Sequence, residues 1–245
     1  MEFIKTETIS GVGLIRFNRP DKLNAFSNEF LFEIIDSLDA FAKENIKIAL
    51  LTGNSNSFSA GRDLSEVIDH FDEKLISDGI RLVNNILYRI SSSPVITIAV
   101  IDGYCLGLGL ELATACRLRF ATPNTKIGFP EKRFGFIPGN GGTQRAQEIV
   151  GSEMAEDMIF NATIFDGNEA CGIGLVDLVV DSADLNQIIE ERILPSENLL
   201  SLSKSKNNLH KSKTLPASLE DELQLHVKQL FAEGSKEKIL TFLKR

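Results

Sequence analysis

The chain has little of several things that mark common protein classes. No run of about 18 or more uncharged apolar residues occurs, so no segment is suited to cross a bilayer as a helix. Met1 to Lys5 carries neither the basic patch nor the apolar stretch of a secretory leader, and a cytoplasmic location is the expectation. Cysteine is sparse. Cys105, Cys116 and Cys171 lie in largely apolar stretches without C-x-x-C spacing, the pattern of reduced, buried thiols rather than a disulfide frame. His70, His210 and His226 are far apart and form no H-x-x-x-H pair, so a zinc site or a Ser-His-Asp triad has little to be built from. Positive charge is in deficit, with 26 Lys and Arg against 34 Asp and Glu for a net charge of −8. That balance argues against nucleic acid as the main partner, which needs a basic face. An anionic cofactor needs only a local cluster of positive charge.

What is present is an ordinary globular composition, 43% hydrophobic and 24% charged over 245 residues, enough for one large domain or a domain with an appendage. Val12 to Phe17 reads as a strand, Asn18-Arg19-Pro20-Asp21 as a turn. Leu31, Ile34, Ile35, Leu38 and Phe41 recur at helical spacing behind Ser27, a suitable N-cap. Ile46 to Thr52 reads as a buried strand ending at Gly53. The order then recurs: a helix over Ile80 to Ile90, the apolar strand Val95 to Ile101, a Gly-rich turn, and a helix through Leu110 to Ala115. Strand–turn–helix units of this kind indicate α/β architecture. Short strands and turns follow from Arg117 to Ile137, then a helical stretch after Gly142 and the apolar run Leu175 to Val180. Beyond about residue 182 no clear strand remains. Ser201 to Lys213 is polar, Leu219 to Leu243 has helical spacing, and residues 183–245 read as a helical appendage to a core of residues 1–182.

Three features carry chemistry. Phe58-Ser59-Ala60-Gly61-Arg62-Asp63-Leu64 follows a strand and opens a helix, with Asp63-x-x-Glu66 fitting a capping arrangement. Asp102 to Glu111 places Gly107-Leu108-Gly109 between a strand and a helix. Both turns offer amides at a positive helix end, where negative charge is favoured. A dinucleotide fingerprint is disfavoured at the second turn, because Glu111 stands where that pattern wants a third glycine and would face a pyrophosphate unfavourably. The third feature is Gly128-Phe129-Pro130-Glu131 followed by the Gly-dense loop Ile137 to Arg145. Two amide-presenting turns, two carboxylates and a Gly-rich loop in one domain suit one chemistry, in which N–H donors stabilise an enolate while carboxylates move protons.

These residues resemble a known family. Asn18-Arg19-Pro20-x-x-Leu23-Asn24-Ala25, Phe58 to Leu64, Pro94 to Cys116, Gly128 to Glu131, Ile137 to Arg145 and Leu175 to Val180 are similar, in that order, to the motifs of the enoyl-CoA hydratases and their crotonase relatives. The resemblance implies an α/β fold made of a spiral of ββα units with a C-terminal helical oligomerisation region, residues 183–245. It implies an acyl-CoA thioester substrate, a homotrimer or homohexamer, and no metal or redox cofactor, coenzyme A being part of the substrate. By position, the oxyanion hole would use the N–H groups of Ala60 and Leu108. Glu111 and Glu131 would be the two hydratase glutamates, with the Gly139 N–H helping to hold the water. Lys22, Leu23, Ala25 and the turn Ala60, Gly61, Arg62 and Asp63 would contact coenzyme A, with Lys22 and Arg62 the nearby cations for its phosphates.

The pair of glutamates favours hydration of a 2-enoyl-CoA. Isomerases of the family often work with a carboxylate at the Glu131 position alone, whereas adding water is served by one carboxylate that activates it and one that protonates the α-carbon. A 3-enoyl-CoA to 2-enoyl-CoA isomerase, another acyl-CoA reaction of this scaffold and a non-catalytic acyl-CoA-binding protein are the alternatives. Two positions depart from the family pattern. Leu108 stands where hydratases commonly have glycine, and Arg117 where the family usually has aspartate.

Overall fold

The chain opens with a hairpin. β1 (Ile4–Ile9) pairs antiparallel with β2 (Val12–Phe17) across Ser10 and Gly11, whose φ angles of 51° and 80° match the left-handed turn that fits strand twist. Lys5 to Thr8 are exposed, so β1 lacks the alternation by which β2 is legible and serves as a polar edge. The structure, a computed structural model, describes residues 1–54, 56–195 and 217–244; the polar stretch Ser201 to Lys213 lies outside the described residues. α1 (Asn28–Lys43) starts where its spacing predicts, with the Ser27 Oγ accepting from the Phe30 N–H at 3.1 Å.

A β–β–α order then repeats. β3 (Ile48–Thr52) and β4 (Ser57–Ser59) lead to α2 (Leu64–Asp69) and α3 (Glu73–Ser91). β5 (Ile96–Ile101) and β6 (Tyr104–Leu106) lead to α4 (Leu108–Ala115). β7 (Leu118–Ala121) and β8 (Lys126–Gly128) lead, past a 3-10 turn over Glu131–Phe134, to α5 (Gly142–Val150) and α6 (Ser152–Phe160). The first strand of each unit enters one sheet, where β2, β3, β5 and β7 run parallel; the second enters another, where β4, β6 and β8 run parallel. This is the spiral that the resemblance implies. β9 (Ile164–Phe165) and β10 (Leu178–Val179), with α7 (Gly167–Gly172) between them, complete the smaller and larger sheets respectively.

The inner strands β2, β3 and β5 of the larger sheet bury both faces, which is why they read as apolar runs. Phe17, Leu51 and Ile101 face the helices α1, α3 and α4, while Leu14, Leu50, Ile98 and Val100 face the opposite side. That opposite side is covered by Leu185 and Ile188 of α8 (Leu185–Ile188) and by Ile189 and Ile193 of the π-helical turn that continues it. The first stretch after residue 182 therefore belongs to the packing of the sheet. The last two helices lie elsewhere. α9 (Ala217–Leu230) packs Leu223 and Val227 on Ile80 of α3, and α10 (Ser235–Leu243) packs Ile239 beside Phe136 and Leu230. Among the described residues no helix is long and apolar enough to cross a membrane.

Candidate active site

The two amide-bearing turns meet across two glycines. At Gly61, φ is +106° and an added Cβ would stand 2.8 Å from the Leu106 carbonyl oxygen and 3.4 Å from the Leu108 nitrogen. At Gly107, φ is +52° and a Cβ would stand 2.8 Å from Glu131 Oε1. No L side chain fits either place, and their absence lets the turns and Glu131 close on one another.

The hydrogen bonds of the first turn revise one sequence expectation. The Ala60 N–H donates to the Leu23 carbonyl at 3.0 Å and is not free to bind an oxyanion. Gly61 donates to Ser59 Oγ and Asp63 to the Phe26 carbonyl. The amide this turn leaves unpaired, among the described residues, is that of Arg62. The Leu108 N–H is likewise unpaired, as the first position of a helix requires. Its isobutyl group is 3% exposed and packs into the core, so the departure from glycine leaves the amide available.

Both glutamates line the same cavity of about 420 Å³, together with Ala60, Arg62, Leu108 and Gly139. Their environments differ. Glu111, on the first turn of α4, is 2% exposed, and its Oε1 accepts from the amides of Asn140 at 2.7 Å and Gly142 at 3.0 Å. Burial outweighs those donors and, with the nearby Glu222 carboxylate adding to it, raises the Glu111 pKa to about 7. Glu131 Oε2 is buried with no hydrogen-bond partner among the described residues. Burial, then the Glu111 charge, pushes its pKa well above the usual carboxylate range, so the neutral acid is the favoured form. The Gly139 N–H is unpaired in the same wall. Arg117 donates its amide to the Thr97 carbonyl and is not among the groups that chiefly set the pKa of either glutamate.

The expected coenzyme A contacts separate into two groups. Ala60, Gly61 and Arg62 line the cavity; Lys22, Leu23, Ala25 and Asp63 adjoin that turn without lining it. The Arg62 guanidinium is engaged by Asn28 Oδ1 at 2.8 Å and Glu66 Oε2 at 2.6 Å. Glu66 therefore does not close the expected capping box; Asp63 alone caps α2, accepting from the Ser65 N–H. Asp63 Oδ2 also holds Arg19 at 2.8 Å and Lys22 at 3.0 Å, and Lys22 keeps 41% side-chain exposure.

Three further residues complete the site. His226, on α9, donates from Nδ1 to the Ile137 carbonyl at 2.7 Å, stacks edge-on to Phe136 and lines the cavity; burial lowers its pKa to about 4, so it is neutral at pH 7. Arg145 bonds the Glu111 carbonyl, the Asn140 carbonyl and Thr114 Oγ1. Glu222, also on α9, is 4% exposed and approaches Glu111 closely enough to raise its pKa. Arg145 closes a recognisable loop motif, but nothing in the acidic run Glu220-Asp221-Glu222 separates its third residue from a solvated helix face. Leu64, Val67, Ile76, Val83 and Leu230 are among the apolar residues of the cavity wall. Among the described residues, no cluster of three or more His, Cys, Asp or Glu could hold a metal ion.

A sequence model of the enoyl-CoA hydratase/isomerase family matches residues 7–245, and the chain belongs to that family. It is 36% identical over 182 residues to a short-chain-enoyl-CoA hydratase of Clostridium acetobutylicum, spanning 74% of this chain and 69% of that protein. It is also 35% identical over 188 residues to an ethylmalonyl-CoA decarboxylase of Pongo abelii, spanning 74% of this chain but only 61% of that longer relative. The crystal structure of an enoyl-CoA hydratase from Thermoplasma volcanium superposes with a TM-score of 0.77 at 29% identity, covering 100% of this chain and 98% of the other.

Proposed function

We propose that the chain is an enoyl-CoA hydratase, adding water across the 2,3-double bond of a 2-enoyl-CoA to give a 3-hydroxyacyl-CoA. The observation that carries this reading is the contrast between the two cavity carboxylates. Glu111 is anchored by two amides and titrates near neutrality, while Glu131, whose Oε2 is buried without a partner among the described residues, favours its protonated form. Pairs whose environments push their pKa values apart are suited to divide acid and base roles.

In this mechanism the thioester oxygen lies between the amides of Arg62 and Leu108. Glu111 takes a proton from water as its oxygen bonds to C3, with the Gly139 N–H helping to hold it. The electron pair of the double bond moves to the thioester oxygen, and the two amides stabilise that enolate. The enolate then collapses and C2 takes the Glu131 proton. One proton passing from Glu111 to Glu131 restores the starting state. Lys22, the exposed cation beside the Ala60–Asp63 turn, is placed to meet coenzyme A phosphate, and the acyl chain enters the apolar wall.

Purified protein should consume a short 2-enoyl-CoA, followed as loss of the enone absorbance. Glu111→Gln and Glu131→Gln should each slow it by roughly two orders of magnitude or more, the usual range for general acid–base groups. An unchanged rate in either variant would overturn the division of roles. The 35% identity to a decarboxylase supports a second reading, loss of carbon dioxide from a 2-carboxyacyl-CoA. That reaction uses the amides and the Glu131 proton but gives the anchored Glu111 nothing to do. An isomerase would also tolerate Glu111→Gln, so this variant discriminates hydration from both other reactions.

A further inference from the structure

The loop that anchors Glu111 is held from both sides. Its amides alternate between two carboxylates: Asn140 and Gly142 donate to Glu111 Oε1, while Gly141 and Thr143 donate to Glu222, at 2.5 Å and 3.0 Å. The Thr143 hydroxyl also bonds Glu222. α5 begins within this loop, and its N-cap, Gly141, has no side chain to satisfy the first amides. Glu222, about eighty residues later on α9, shares that cap with Glu111. Arg145, one turn into α5, bonds the Asn140 and Glu111 carbonyls and offsets both carboxylates.

We infer that Glu222 is a positioning residue for the reaction, fixing the 140–143 loop and, through it, the placement and protonation of Glu111. Burial raises the Glu222 pKa against the pull of its three donors and Arg145, and the ionised Glu222 that those donors favour sets a negative charge beside Glu111 that disfavours a second one there. The groups facing this cluster are Glu111 on α4, Glu131 on the 3-10 turn, Arg145 and Glu148 on α5, and His226 on α9 itself. Cys116, at the end of α4, also faces Arg145. α3 and α10 turn charged groups elsewhere, Arg81 to Glu220 and Lys236 to the Phe71 ring. Removing the Glu222 charge should therefore make Glu111 a stronger acid. The inference rests on the hydratase reading only in giving Glu111 a base role.

The test uses the full chain with carbon-13-labelled glutamate. In Glu222→Gln the Glu111 carboxyl, assigned by its loss in Glu111→Gln, should titrate about one pH unit lower, the size of coupling between interacting carboxylates. The acid limb of the pH–rate profile should move the same way, with kcat falling roughly ten- to a hundredfold for a displaced base and KM little changed. Glu222→Asp should recover part of both effects. Thr143→Val, which keeps the charge but loses one bond, should lower kcat without moving the titration and serves if Glu222→Gln fails to fold. An unmoved Glu111 titration in folded Glu222→Gln, or a shift of the same size in Thr143→Val, overturns the inference. If the wild type hydrates no enoyl-CoA, the reaction assignment fails, while the titration still decides the role of Glu222.

Discussion

Leu108 occupies the first position of α4, where an N–H has no partner within the helix and where proline is tolerated. Leu108→Pro therefore deletes one proposed oxyanion donor while keeping the helix backbone bonds, and its smaller ring gives up part of the buried leucine packing. Turnover should fall by about a hundred- to a thousandfold, the usual loss for one such donor. The far-ultraviolet circular dichroism should be unchanged, and wild-type turnover would remove Leu108 from the oxyanion hole. Glu111 supports a second prediction. Its native pKa of about 7 lies above the ordinary 4.5, so between those values the folded state binds more protons than the unfolded one. Its contribution to stability is thus full below about pH 4.5 and is lost as pH rises toward 7, at roughly 1.4 kcal/mol for each pH unit crossed between the two values. Glu111→Gln, which can keep the acceptor for Asn140 and Gly142, removes that loss. Its melting temperature should exceed that of the wild type at pH 8 and approach it at pH 5; an equal difference at both pH values would refute the raised native pKa.

At the scale of elements, legibility follows local physics. α1 and the strands of the larger sheet are plain in the sequence because apolar periodicity and caps are local signals. The edge strand β1 is not, because its polar residues make no pattern. The choice between Ala60 and Arg62 as donor was illegible for a different reason: it depends on the Leu23 carbonyl, brought to the turn by a loop almost forty residues earlier. Glu222 and His226 are hidden likewise, since α9 reaches the cavity through its packing on α3 and its bonds to the 137–143 loop, all distant in sequence. The contact between α9 and the Gly139 loop gives the prediction at this scale. A Cβ on Gly139 would stand 2.6 Å from His226 Nδ1, too close unless the ring or the loop shifts. Gly139→Ala should cost about 1–3 kcal/mol of stability as an overpacked contact and lower kcat as well. Adding His226→Ala should recover much of both losses, because the clash is with that ring. A double variant whose losses simply add would show that the two residues do not press on each other.

For the whole molecule, the issue is whether the C-terminal helices are an appendage or part of the site. The sequence suggests an appendage, because the composition changes near residue 182 and no strand follows. In the structure the cavity wall takes Leu64 and Val67 from α2, Ile76 and Val83 from α3, Glu111 from α4, and His226 and Leu230 from α9. A ligand filling this cavity touches both the core helices and α9, so its binding energy should stabilise them together. A saturated acyl-CoA, which cannot be hydrated, present at a hundred times its Kd should add about 2.7 kcal/mol to the free energy of unfolding. For a chain of this size that corresponds to a rise in melting temperature of roughly 5–10 °C. Scanning calorimetry should record one transition that moves as a whole. Two transitions, with only one displaced by the ligand, would mean that α9 and α10 fold independently of the site. A single transition that the ligand leaves in place would show that the cavity does not bind acyl-CoA.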